Sequence, residues 1–97
     1  MMSNESEMEL FSRILLHFTF DGISPALREP EGIAAEAREG ITLLRALANR
    51  GHRENARDLT EQALSQINEA SQLPEAPASV FAQITNELLE LHTELSA

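Results

Sequence analysis

Ninety-seven residues are enough for one compact domain and too few for two. Sixteen acidic residues stand against seven basic ones, and the formal charge of −9 repels nucleic-acid phosphates and anionic lipid head groups alike. Cysteine is absent, which excludes disulfides, thiolate metal ligands and a cysteine nucleophile together.

The first segment reads as a helix from Ser6 to Phe18, after a frayed start over residues 1–5. Ser6 and Glu9 match the Ser-x-x-Glu capping box, in which each side chain satisfies a free amide at the helix start. Phe11, Ile14, Leu15 and Phe18 recur at helical spacing and define an apolar face. Met8, Leu10, Leu16 and Phe20 widen that face beyond what one core requires, which raises the expectation of an interface. Glu5, Glu7 and Glu9 stand where a secretory signal needs positive charge. The aliphatic run Ile14–Leu16 is far short of the roughly 20 residues that span a bilayer. A soluble, cytoplasmic protein is expected.

Residues 21–30 read as a linker, with Asp21-Gly22 as a turn signal and Pro25 and Pro30 as breakers. A second helix begins just after Pro30, with Ile33, Ala37, Ile41, Leu44 and Ala48 on its inner face. Gly40 lies beside this stripe, where another helix could approach closely, and Gly51 suits a left-handed helix cap. The third helix follows almost at once, from about Arg53 to Ser71, with Ala56, Leu59, Ala63, Ile67 and Ala70 as its stripe. So short a link implies that helices two and three form an antiparallel hairpin. Residues 73–78, with Pro74 and Pro77, form a second linker. The last helix runs from about Ser79 to Leu95, where Phe81, Ile84, Leu88, Leu91 and Leu95 alternate steps of three and four. The expected fold is therefore all-α, a single domain over residues 1–97 built as a small bundle of three to four helices.

Nothing in the sequence demands catalysis. His17, His52 and His92 lie on different segments, without a His-x-x-x-His pair or a carboxylate at metal-helix spacing. Four scattered glycines form no phosphate loop, and no Gly-x-Ser-x-Gly elbow occurs. No enzyme activity, cofactor or metal is expected. Arg45, Arg50, Arg53 and Arg57 are the basic concentration, but Glu54 and Asp58 interleave with them and no aromatic residue does. Direct nucleic-acid binding is disfavoured.

What remains is protein binding. No Lys or Arg follows Arg57, and Glu87, Glu90 and Glu94 fall on one side of the last helix. A solvated face is the plain explanation; an acidic strip that steers a basic or amphipathic partner is the sharper one. Phe11, Leu15, Phe18 and Leu88 are the expected apolar anchors, and Glu87, Glu90 and Glu94 the electrostatic part. The expected function is a small non-catalytic regulator or adaptor that inhibits, sequesters or chaperones another protein, in the manner of an anti-activator. Exclusive use of Arg over Lys fits a GC-rich bacterial or phage genome. A self-associating homodimeric module and a DNA mimic that occupies a nucleic-acid-binding protein are the alternatives.

Overall fold

The computed structural model describes residues 2–19, 29–73 and 76–97, with side chains from residue 8 onward. These residues form four α-helices and no strand: α1 (Met2–Leu16), α2 (Pro30–Asn49), α3 (Arg53–Ser71) and α4 (Ala78–Ser96). Most of the first expected linker, residues 21–28, and residues 74 and 75 of the second lie outside the described residues.

The expected seam of α4 is buried at every position: Phe81, Ile84, Leu88, Leu91 and Leu95. Steps of three and four return each side chain to one face of a helix with 3.6 residues per turn. That face meets α3, whose Ala56, Leu59, Ala63, Ile67 and Ala70 are likewise buried. Alanine at three of these five positions shortens the side-chain layer and lets the two helices pack closely. The cross-contacts run in opposite directions along the pair. Arg53 at the start of α3 reaches Leu95 at the end of α4, and Glu61 meets His92. Ser71 and Phe81, near the other ends of the two helices, border one hollow.

Thr60 is the buried polar residue of α3, and its hydroxyl bonds the Ala56 carbonyl one turn earlier at 2.7 Å. That local bond removes the cost of placing a hydroxyl in an apolar core.

Helix α2 begins one residue earlier than the sequence suggests, because Pro30 itself takes the first helical position. Proline is suited there, since its missing N–H would have no intrahelical partner. At the other end Gly51 adopts φ of +98°, as its place after the helix predicts. The Gly51 N–H donates to Ala48 O at 3.1 Å and the His52 N–H to Leu47 O at 3.2 Å, which completes a Schellman cap. Three residues then suffice to turn the chain into α3. Leu47 is buried and Ala48 only half-buried, so the stripe of α2 closes on Leu47 at its last turn.

Helix α1 departs most from expectation. It starts at Met2, so Ser6 lies within the helix and does not cap it, and residues 2–5 are helical. It stops at Leu16, and the next residues tighten into a turn. His17, Phe18 and Thr19 donate their amides to Ile14, Leu15 and Leu16, each three residues back. This turn drives Phe18 into the core beside Ile14, both fully buried. Gly40 makes room for it: a Cβ on Gly40 would lie 2.6 Å from the Phe18 ring and 2.9 Å from the Cβ of His17. The Thr19 hydroxyl lies 2.8 Å from Gln66 Oε1, which ties the end of α1 to α3.

Candidate functional site

Two features outside the apolar core are built by this packing. The first is the outward face of α4. Leu89 follows Leu88 in sequence, about 100° further round the helix, and stands 48% exposed. Asn86, Glu90, Thr93 and Glu94 surround it in a shallow surface hollow. Glu90 and Glu94 are exposed and Glu87 is half-buried. Glu94 is engaged within the chain, since its Oε2 lies 2.7 Å from Arg45 Nη1 on α2.

The expected apolar anchors separate into two groups. Phe18 and Leu88 are fully buried core residues in this structure, and their surfaces are not offered to a partner. Both lie on inward faces, Leu88 in the middle of the α4 seam and Phe18 over Gly40. Phe11 and Leu15 are half-buried against the same core. Among the described side chains of α1, the large apolar ones that are exposed are Met8 at 69% and Leu16 at 64%, two turns apart. With Glu9, Ser12 and Arg13 they line a shallow hollow along that helix.

The arginine cluster is largely spent inside the molecule. The Arg53 guanidinium donates to the backbone carbonyls of Glu94 and Leu95, the latter at 3.1 Å. It thereby satisfies carbonyls at the end of α4, where the helix dipole also favours positive charge. Arg45 is committed to Glu94.

The second feature was not legible in the sequence. The turn after α1 carries His17 to the surface of α2 beside Glu36 and Glu39. His17 Nδ1 lies 3.0 Å from Glu36 Oε1 and 4.0 Å from Glu39 Oε2. Despite the short distance, Nδ1 is sealed from solvent without a hydrogen-bond partner, because the carboxylate lies off the direction of a ring N–H. The signal in the sequence was Gly40. Once Phe18 is placed on that glycine, the preceding residue must face the turn of α2 just before it. His92 forms a plainer pair, with Nε2 2.9 Å from Glu61 Oε2 across α3 and α4.

The class defined by these elements is a four-helix chain with an acidic, apolar-centred outer face on α4 and a His–Glu–Glu cluster between α1 and α2. No protein-family model matches the chain, and no curated protein or solved structure does either. Among the described residues, no helix is long and apolar enough to cross a membrane.

Proposed function

We propose that this chain is a small non-catalytic regulator or adaptor that binds another protein through the outer face of α4. Its scaffold is a bundle in which α2 and α3 form an antiparallel hairpin with α4 laid along it. The observation that carries the reading is Leu89, an exposed apolar side chain set among Glu90, Glu94, Asn86 and Thr93. An apolar centre ringed by polar groups is the usual anatomy of a binding surface. The carboxylates steer a basic, amphipathic partner toward it, and Leu89 takes the anchoring role expected of Leu88.

Affinity capture from the source organism's lysate at about 0.1 M and about 0.5 M salt tests this, since salt screens exposed charge contacts more than apolar ones. One stoichiometric partner, lost on Leu89→Asp and weakened by salt, is the expected result. Reversal of Glu87, Glu90 and Glu94 to Lys then slows association and flattens its salt dependence. Capture that is indifferent to all four substitutions would remove α4 as the docking face. A second reading rests on Met8 and Leu16, whose exposure on α1 favours self-association. Concentration-dependent sedimentation that is abolished by Met8→Glu with Leu16→Glu would support it.

A further inference from the structure

We propose that His17, Glu36 and Glu39 form a site for a divalent transition-metal cation of the zinc class, which clamps the end of α1 onto α2. Three donor groups, one from the turn after α1 and two from α2, converge there, and their nearest ligand atoms all lie within 4.8 Å of one another. Zinc bonds to imidazole and carboxylate are about 2.0–2.2 Å long, which puts neighbouring donors of a tetrahedral site roughly 3.3–3.6 Å apart around the ion. His17 Nδ1 and Glu36 Oε1, at 3.0 Å, need to open by only a few tenths of an ångström to reach that spacing. Glu39 Oε2, at 4.0 Å, needs to close by less than ~1 Å. Its side chain is 74% exposed and free to do so.

Direction separates this arrangement from an ordinary ion pair. Donors in a coordination shell point at the ion and not at each other, so they come close without being aligned for a hydrogen bond. His17 Nδ1 and Glu36 show that combination, and Nδ1 has no other hydrogen-bond partner. A protonated His17 offers one N–H at Nδ1 to two carboxylates, and the nearer one is out of line. A divalent cation compensates both carboxylates at once and uses the ring lone pair directly. The donor set selects the metal class. Imidazole with carboxylate suits zinc and its first-row neighbours, whereas calcium and magnesium prefer oxygen alone. Three protein ligands leave a fourth position for water on the exposed side.

The consequence for the fold is local. The ion would bridge residue 17 to residues 36 and 39, next to the contact of Phe18 with Gly40 that seats α1. Binding would therefore hold the end of α1 in place.

Tag-free, chelator-stripped full-length protein is titrated with zinc chloride by calorimetry and with cobalt chloride by visible absorption. The expected result is one equivalent of each ion bound at micromolar concentration, with a rise in the thermal midpoint. Glu39→Gln removes a ligand on an exposed side chain that the fold does not need, and lowers affinity by about tenfold or more. The Glu36→Gln, Glu39→Gln double variant, checked for helicity by circular dichroism, loses the cobalt spectrum and the thermal shift. His92→Ala leaves both intact. No binding by the wild-type chain overturns the proposal. So does binding that survives the double variant, or that disappears with His92→Ala and so belongs to the His92–Glu61 pair.

Discussion

Alanine at Gly40 adds one methyl group at the point where α1 is seated. Its carbon would fall 2.6 Å from both Cε2 and Cζ of Phe18 and 2.9 Å from the His17 Cβ. Ordinary carbon–carbon contact is about 3.5–4.0 Å, so the ring must retreat by roughly 1 Å. Phe18 is fully buried. Overpacking of this kind costs about 1–3 kcal/mol, here at the upper end. Alanine also gains about 1 kcal/mol of helix propensity over glycine. The net expectation for Gly40→Ala is a destabilisation of about 1–2 kcal/mol. Gly32 supplies the control. It lies in the first turn of the same helix with nothing within 4 Å of an added Cβ, so Gly32→Ala should stabilise by about 0.5–1 kcal/mol. Urea unfolding followed at 222 nm measures both. A third measurement fixes the cause: in a Phe18→Ala background the ring clash is gone and the 2.9 Å approach to the His17 Cβ remains, so the cost of Gly40→Ala should fall. If Gly40→Ala stabilised the wild-type chain as Gly32→Ala does, the packing of Phe18 on α2 would be refuted.

Five further substitutions test separate parts of the structure. Gly51→Ala forces a side chain onto φ of +98° and should cost about 1–2 kcal/mol in urea unfolding, by opening the turn between α2 and α3. Leu88→Ala should cost about 2–5 kcal/mol because it hollows the core. Leu89→Ala should change stability by about 0.5 kcal/mol or less, so that any loss of partner binding reads as a surface effect. Arg45→Ala breaks an ion pair whose side chains are 47% and 56% exposed, and should be close to neutral in thermal unfolding. Arg53→Ala should lower stability by about 0.3–1 kcal/mol and increase amide exchange in the last turn of α4, where its guanidinium holds the carbonyls.

How much was legible in the sequence depended on whether a signal is local. The seam from Phe81 to Leu95 and the alanine-rich stripe of α3 are periodic in themselves, and burial follows the period. The cap at Gly51 was equally local, because only the residue after the helix has to take a left-handed conformation. The start of α1 shows the limit of such rules. A Ser-x-x-Glu box permits a helix to begin, but the chain from Met2 continues the helix upstream of it. Burial of an expected anchor shows the same limit. Leu88 and Leu89 are equally apolar in composition, and a turn of about 100° per residue decides which is exposed. The cluster of His17 with Glu36 and Glu39 lay beyond any spacing rule, since the histidine reaches α2 from the turn after α1.

The same placement explains why α1 should respond differently from the other helices. Among the described side chains of α1 and the turn after it, the fully buried ones are Ile14 and Phe18, with the link from Thr19 to Gln66 beside them. Met8, earlier in the helix, is largely exposed. The pair α3 and α4, by contrast, is joined along its length, from Arg53 with Leu95 through Glu61 with His92 to Ser71 with Phe81. A helix with few fully buried side chains opens more readily than one buried along its length. Gly40→Ala should therefore loosen α1 before it unfolds the rest. The signature is a shallower or biphasic urea transition, because the slope of unfolding follows the surface still to be exposed. Amide exchange would rise in α1 while α3 and α4 remain protected. Equal acceleration in all four helices would mean that Phe18 belongs to one cooperative core and that α1 has no independent docking step.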